Sequence, residues 1–128
     1  MLFEHEHEIR VRYQETDAMG LLNHSQYFTY FEIGRTELLR VAGGNYRQME
    51  EEGMFVVVVK ADCRYIRPAH YDDLVKVRTT LKQISAAKIE HRYELLRGDE
   101  LLAVGHTTLA CVDRKGEICR VPDWMRGE

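Results

Sequence analysis

One long helix, predicted from Asn23 to about Ala42, has apolar side chains on more than one of its faces. It begins at a capping-box pattern, Asn23 followed by Gln26, and it ends at Gly43-Gly44. A surface helix shows a single apolar stripe, so this helix must be buried on several sides, as it would be inside a curved sheet. Its apolar residues are Tyr27, Phe28, Tyr30, Phe31, Ile33, Leu38, Leu39 and Val41.

Most of the other segments alternate between apolar and polar residues, which predicts β-strands. Residues 5–13 form the first strand, and residues 45–52 form a short second helix after the long one. Four strands follow, at residues 55–65, 74–84, 88–97 and 101–112. The β-branched run Val56 to Val59 favours a central strand. This order of elements predicts an α+β domain, in which an antiparallel sheet carries one helix on one face.

Length and composition exclude several classes of protein. The 128 residues predict one domain, residues 1–128, with a core of its own. The formal net charge is −3 and the charges are interspersed, so neither nucleic acid nor an anionic membrane is indicated as a partner. The first residues lack a signal-peptide pattern, and the longest apolar run, Met54 to Val59, is too short to span a bilayer. We therefore predict a cytoplasmic protein without stable membrane insertion.

Cysteine usage agrees with a cytoplasmic location. The chain has three cysteines, Cys63, Cys111 and Cys119, and no Cys-x-x-Cys spacing. An odd count without that spacing favours reduced thiols over a disulfide framework or a zinc site.

The loop between the first strand and the long helix could carry chemistry. It contains the pattern Tyr13-x-x-x-Asp17-x-x-Gly20-x-x-x-His24. The first amides of the helix, those of His24 and Ser25, are unpaired donors that would polarise a carbonyl oxygen placed against them. The Asp17 carboxylate could attack that carbonyl or activate a water. Asp17 could equally be a turn residue that bonds its own backbone, and the spacing leaves both interpretations open.

The segment from Arg12 to Phe28 resembles the signature of the 4-hydroxybenzoyl-CoA thioesterase family, and Tyr30 to Glu37 extends the match. Less specific matches follow at Arg64 to Ala69, Tyr71 to Asp73, Leu102 to Gly105 and Val112-Asp113. The resemblance covers nearly the whole chain. Within the family, the chain is similar to the bacterial acyl-CoA thioester hydrolases associated with the Tol-Pal envelope system.

This resemblance implies a hotdog fold, in which a curved antiparallel sheet of about five strands wraps one long central helix. It implies a homodimer whose sheets join edge to edge, with two sites at the interface, and tetramers of such dimers are common in the family. The implied reaction is hydrolysis of an acyl-CoA to a free acid and CoA, without a metal or a redox cofactor. The catalytic carboxylate of the family matches Asp17, and its accompanying Tyr and His match Tyr13 and His24. Members differ in whether the carboxylate attacks the thioester or activates water.

Binding of CoA should require basic groups at the rim of the site, because CoA carries phosphates. The candidates are Arg64, Arg67 and Lys88, and Ser25 joins the predicted substrate-binding set at the helix start. Glu32 and Glu37 are alternative carboxylates, since other hotdog thioesterases use one from the middle of the helix. The alternative function is non-catalytic binding of acyl-CoA or of an acyl-carrier protein, and the acyl group could be fatty, short or aromatic.

Overall fold

The computed structural model describes residues 3–126, in which five segments pair into one antiparallel sheet. The strands are β1 (Glu4–Arg10), β2 (Phe55–Tyr65), β3 (Leu74–Ile84), β4 (Lys88–Arg97) and β5 (Glu100–Val112). They lie side by side in the order β1-β3-β4-β5-β2. The long helix α1 (Gln26–Val41) packs on β1, β3 and β4, and the short helix α2 (Tyr46–Glu51) contacts β2. The predicted α+β hotdog architecture is confirmed.

The first strand is shorter than predicted. It ends at Arg10, and Tyr13–Glu15 forms a 3-10 turn in its place. The turn forms because the carboxylate of Glu15 accepts a hydrogen bond from the amide of Arg12 at 2.9 Å, which bends the chain away from the sheet. The predicted alternation therefore holds through Val11, which is fully buried, and fails at Tyr13, which is exposed.

The long helix also begins later than predicted. Oδ1 of Asn23 accepts hydrogen bonds from the amide and the hydroxyl of Ser25, at 3.0 and 2.9 Å. These bonds close a turn before the helix, so the predicted capping box with Gln26 does not form and α1 begins at Gln26. At the other end, Gly43 adopts a positive φ of 95° and stops the helix as predicted. No helix within residues 3–126 is long and apolar enough to cross a membrane.

The valine run of β2 lies at an edge of the sheet, so the prediction of a central strand is wrong. β-Branched residues favour strands in general, but the place of a strand in the sheet depends on its partners. Here β2 pairs with β5 alone, which leaves Val57, Val58 and Val59 between 41% and 54% exposed. An exposed apolar edge strand is a surface on which a further strand can pair.

Two apolar clusters fill the space between α1 and the sheet. The first lies under the start of the helix and includes Val11, Tyr27, Tyr30, Phe31, Val77, Tyr93 and Leu95. The second lies towards its end and includes Leu38, Leu39, Met49, Leu109, Cys111, Val121 and Met125. In the first cluster the ring of Phe31 stacks on Tyr93, with the ring centroids 4.6 Å apart, and covers Gly105 of β5. This close approach needs a residue without a side chain at position 105.

Replacing Gly105 with Ala should lower the free energy of unfolding by about 1–3 kcal/mol, because the added methyl group overlaps the ring of Phe31. Urea denaturation measures the loss. In a Phe31→Leu background the ring is absent, so the same substitution should cost less there. Equal losses in both backgrounds would contradict this account of Gly105.

Candidate active site

The loop after the 3-10 turn is built around the carboxylate of Asp17. Its Oδ1 accepts hydrogen bonds from the amides of Met19 (2.8 Å) and Leu21 (3.1 Å). The amide of Asp17 donates to the carbonyl of Leu21 at 2.8 Å, and Gly20 supplies the positive φ of 76° that the turn requires. Within residues 3–126 no donor bonds the second oxygen, Oδ2. The turn therefore fixes one carboxylate oxygen and leaves the other available.

The same turn occurs a second time, after β5. Oδ1 of Asp113 accepts from the amides of Lys115 (2.9 Å) and Glu117 (3.0 Å), and Gly116 has a φ of 80°. Both interpretations of Asp17 offered by the sequence are therefore compatible with its geometry, because a turn of this kind forms equally well at Asp113. Asp17 and Asp113 differ in the surroundings of Oδ2, the carboxylate oxygen that the turn does not bind.

An open cleft of about 380 Å³ lies at the start of α1, with Asp17 and His24 both in its wall. Its aromatic side is formed by Tyr27 and Tyr65, whose rings meet edge to face with centroids 4.8 Å apart. The hydroxyl of Tyr65 donates to the carbonyl of His24 at 3.1 Å, which ties the end of β2 to the helix start. The lining residues are Asp17, Leu21, Leu22, His24, Tyr27, Tyr65, Ile66, Arg67 and Pro68.

Of the two amide donors that the sequence suggested at the helix start, one is free of any partner within residues 3–126. The amide of Ser25 is bonded to Oδ1 of Asn23, and the amide of Gln26 is bonded to the carbonyl of Asn23 at 2.9 Å. For the amide of His24, the described part of the chain contains no acceptor. A carbonyl oxygen in the cleft could therefore be polarised by the amide of His24, and Ser25 acts in the turn itself.

A buried carboxylate behind the cleft was not found by the sequence analysis. Glu15 is only 4% exposed, and its Oε1 accepts from the amide of Arg12 and from the hydroxyl of Tyr30, the latter at 2.7 Å. Its Oε2 pairs with the guanidinium of Arg12 at 3.1 Å, and its carbonyl accepts from the amide of Asn23 at 2.9 Å. Glu15 thus connects the loop of Asp17 to the first turns of α1. The i,i+3 spacing of Arg12 and Glu15 was its one sequence signal.

The charge state of Glu15 follows from these contacts. Burial raises the pKa of its carboxyl group, but hydrogen bonds from Arg12 and Tyr30 outweigh burial, so the net pKa lies below its ordinary value. Burial and the bond to Glu15 both raise the pKa of the Tyr30 hydroxyl. The pair is therefore a carboxylate and a neutral phenol at neutral pH, joined by a charge-assisted hydrogen bond.

Comparisons with known proteins show which family this chain belongs to. The family model of the thioesterase-like superfamily matches residues 11–128. The chain belongs to the thioesterase-like superfamily. It is 37% identical over 113 residues to a putative esterase of Aquifex aeolicus, with 88% of each chain covered. It is 35% identical over 106 residues to the acyl-CoA thioesterase YbgC of Haemophilus influenzae, covering 82% of this chain and 78% of that one.

Solved structures agree with this membership. A hypothetical protein from Aquifex aeolicus has a TM-score of 0.92 at 34% identity, covering 96% of this chain and 97% of that one. The DHNA-CoA thioesterase from Staphylococcus aureus has a TM-score of 0.92 at 30% identity, covering 98% and 88%. The prediction that this protein is a thioester hydrolase with the hotdog fold is thereby confirmed.

The other predicted site residues of this thioesterase lie at different distances from the cleft. Arg67 lines it, with a largely exposed side chain whose Nη1 is 3.5 Å from Oε2 of Glu100. Tyr13 is 77% exposed, packs edge-on against Tyr71 with centroids 5.6 Å apart, and is not among the described residues that line the cleft.

Lys88 is not brought to the cleft within one chain of the thioesterase. It is the first residue of β4, whereas Arg97 at the other end of β4 donates to the carbonyl of Pro68, a lining residue, at 3.3 Å. A strand of this length separates its two ends by roughly 30 Å. A role of Lys88 in substrate binding therefore needs a second copy of the chain.

Three further titratable residues, Glu32, Glu37 and His91, lie away from the cleft at the helix start. Glu32 is exposed on the outer side of α1, and Glu37 pairs there with Arg40. His91 is buried, and burial lowers its pKa to about 3, so its side chain is neutral at neutral pH. Asp17 and His24, in contrast, both line the cleft at the helix start.

Another cleft that contains an Asp and a His lies on the outer face of the sheet. Nδ1 of His106 lies 2.9 Å from Oδ1 of Asp62 in a cleft of about 410 Å³. Both residues belong to paired strands, β5 and β2, so the backbone amides around them are used in the sheet. This cleft has no helix start to polarise a carbonyl, and it is the weaker candidate for the active site.

Proposed function

We propose that this thioesterase hydrolyses acyl-CoA thioesters to a free carboxylic acid and CoA at the cleft of Asp17 and His24. The observation that carries the proposal is the position of these two residues on one cleft at the start of α1. The acyl-CoA substrate is supported by the activity named for the relative from Haemophilus influenzae.

In the proposed mechanism, the thioester carbonyl oxygen accepts a hydrogen bond from the amide of His24. The positive end of the α1 dipole then stabilises the negative charge that develops on this oxygen. The free Oδ2 of Asp17 either attacks the carbonyl carbon or takes a proton from an attacking water. CoA leaves as a thiolate and takes a proton from solvent, and the imidazole of His24 positions the substrate. Tyr13 remains a predicted helper residue, placed on the 3-10 turn that leads into the Asp17 loop.

The two proposed roles of Asp17 can be distinguished by which product contains the oxygen atom that comes from water. Direct attack forms a mixed anhydride between Asp17 and the acyl group, and its hydrolysis by water at the Asp17 carbonyl leaves one solvent oxygen on the enzyme. General-base catalysis puts solvent oxygen into the released acid alone. In a single-turnover reaction in ¹⁸O-labelled water, label found by mass spectrometry in the peptide that contains Asp17 would establish direct attack.

The cleft of a single chain is open to solvent, and this openness supports a homodimer in which a second copy covers it. Asp17 and His24 are both exposed, whereas charge stabilisation is strongest in a site that excludes water. The exposed apolar edge of β2 ends beside the cleft, at Tyr65, which is 47% exposed. We propose that β2 pairs antiparallel with the β2 of a second copy, which extends the sheet and covers the cleft.

This pairing would also explain how Lys88 could take part in substrate binding. Antiparallel pairing sets the end of one β2, at Tyr65, beside the start of the other, near Phe55. Within a chain Val57 pairs with Ala110, and Ala110 pairs with Lys88. The Lys88 of the second copy would therefore approach the cleft from across the interface, opposite Arg67, where CoA phosphates could be bound.

Replacing Val58 with Asp should dissociate the dimer, because it places two like charges on an apolar edge near the two-fold axis. We expect a monomer by light scattering and loss of turnover, while the fold stays intact by circular dichroism. Leu74→Asp is the matched control, since Leu74 is a similarly exposed apolar residue (46% against 52% for Val58) on β3, next to the opposite edge of the sheet. A Val58→Asp protein that remains dimeric would rule out pairing through β2.

Replacing Lys88 with Glu should raise KM for acyl-CoA about tenfold and leave kcat nearly unchanged, since a charge-assisted contact to phosphate is lost. The matching acyl-pantetheine ester lacks the nucleotide phosphates, so its KM should not change. An equal rise in KM for both esters would contradict a phosphate contact.

The activity itself is tested by free-thiol release from a panel of short, long and aromatic acyl-CoA esters. Release from at least one ester supports the proposal and ranks the acyl groups. Tight binding of acyl-CoA without thiol release would favour the non-catalytic alternative. An acyl-carrier-protein thioester in the same panel distinguishes the two carriers.

A further inference from the structure

Two of the three cysteines lie side by side where the end of β5 meets the C-terminal segment. Sγ of Cys111 is 3.1 Å from Sγ of Cys119, and both are free thiols. No other atom fits between sulfur atoms at this distance. Cys63 belongs to β2 and packs against the first apolar cluster, away from this pair.

The backbone holds the two cysteines opposite each other. Val112 and Ile118 form an antiparallel bridge, and the amide of Cys119 donates to the carbonyl of Cys111 at 2.9 Å. Opposed residues in an antiparallel pair have Cα atoms about 4.5–5.5 Å apart, within the roughly 4.4–6.8 Å that a disulfide spans. Joining the sulfur atoms therefore needs side-chain rotation and no movement of the strands.

We propose that Cys111 and Cys119 are a dithiol site that forms an intramolecular disulfide with a low-molecular-weight disulfide as the oxidant. The thiolate of Cys119 attacks one sulfur of the small disulfide, which releases one small thiol and leaves a mixed disulfide on Cys119. Sγ of Cys111 then attacks Sγ of Cys119 and expels the second small thiolate, and the proton of Cys111 ends on that departing sulfur. The protein loses two hydrogen atoms, and the small disulfide gains them as two thiols.

Exposure sets the order of these steps. Cys119 is partly exposed, whereas Cys111 is fully buried. Burial, together with the contact to Cys119, raises the pKa of the Cys111 thiol to about 12. Cys111 is therefore inert towards dissolved reagents and reacts only with the sulfur placed beside it.

The bond would connect the C-terminal segment to the sheet. That segment covers the second apolar cluster with Val121 and Met125, and the amide of Val121 donates to the carbonyl of Ala86 at 2.8 Å. A disulfide between Cys111 and Cys119 lowers the conformational entropy of the unfolded chain next to this C-terminal segment. The oxidised protein should consequently hold its C-terminal segment in place at higher temperature.

The test treats the folded protein with oxidised glutathione, alkylates the remaining thiols under denaturing conditions, and maps the peptides by mass spectrometry. We expect one alkylated thiol, at Cys63, a Cys111–Cys119 peptide pair, and a melting temperature raised by about 5–10 °C. Dithiothreitol should reverse both changes. Three alkylated thiols throughout, or glutathione retained on Cys119 without closure, would overturn the proposal.

Two variants serve as controls. Cys63→Ser should form the same bond and show the same rise in melting temperature. Cys119→Ser should show no rise, and if it fails to fold, the wild-type peptide map decides the question by itself. A bond that forms without a rise in melting temperature would overturn its stabilising role.

Discussion

Replacing Asp17 with Asn is expected to lower kcat by about 10²- to 10⁴-fold while the protein stays folded. Asn keeps an oxygen at the position of Oδ1, so the bonds from the amides of Met19 and Leu21 persist. It loses the charge at Oδ2, the oxygen that in the proposed mechanism attacks the carbonyl carbon or takes a proton from water. KM should change little, because binding does not depend on this oxygen. Free-thiol release measures turnover, and circular dichroism measures the fold.

Asp113 provides a matched control for this experiment. Asp113→Asn makes the same chemical change in a turn with the same hydrogen bonds, but Asp113 does not line the cleft among the described residues. It should keep its turnover and show the same small change in stability as Asp17→Asn. Normal turnover in Asp17→Asn would remove Asp17 from the mechanism. Equal losses in both variants would mean that the turn, and not the carboxylate, matters.

Replacing Glu15 with Gln should lower kcat by about tenfold to a hundredfold, since the loop of Asp17 and the start of α1 would shift relative to each other. The amide nitrogen of Gln would face the guanidinium of Arg12, where Oε2 now accepts a hydrogen bond. We expect the free energy of unfolding to fall by about 1–3 kcal/mol, because a charge-assisted, buried contact is lost. Assays well below the melting temperature, with KM and kcat determined separately, show whether the loss is one of positioning.

Two comparisons separate positioning from general destabilisation in Glu15→Gln. Tyr30→Phe removes a single hydrogen bond to Glu15 and leaves both bonds from Arg12, so its loss of kcat should be smaller. Tyr30→Phe could lose as much stability as Glu15→Gln and still keep its kcat. In that case the bonds between Glu15 and Arg12 would be the ones that position the loop. A fall in kcat that merely follows the unfolded fraction would contradict a positioning role for Glu15.

The low pKa of Glu15 also predicts how stability depends on pH. Its ordinary value is 4.5 and its folded value is lower, so its contribution is complete above pH 4.5. The contribution is lost as pH falls through the folded pKa, where the native state takes up the proton. The stability difference between the wild type and Glu15→Gln should therefore narrow below pH 4.5. A difference that stays constant in acid would contradict a folded pKa of Glu15 below its ordinary value.

Local patterns in the sequence gave correct predictions where neighbouring residues decide the structure. Alternation predicted β3 and β4 with the ends that the structure has, and Gly43 predicted the end of α1. The resemblance around Asp17 and His24 identified two residues that do lie on one cleft. The start of α1 was placed too early because Asn23 can bond either to the helix or to Ser25, and the spacing is similar in both cases.

Contacts between distant parts of the chain could not be predicted from local patterns. The position of β2 at the edge depends on pairing with β5, and the burial of Glu15 depends on Tyr30. Lys88 was predicted to bind substrate, but it is the first residue of β4 and lies at the end of that strand far from the cleft.

The sequence by itself determined most of the strands and both α-helices, the family resemblance and the loop that carries Asp17, because each of these rests on periodicity or on a motif within a short segment. The tertiary structure alone decided which strand is left at the edge, which carboxylate is buried behind the cleft of Asp17, and which two cysteines meet. These depend on the pairing of segments far apart in the chain. A strand's own residues specify that it has an apolar face, but they leave open which other segment covers it.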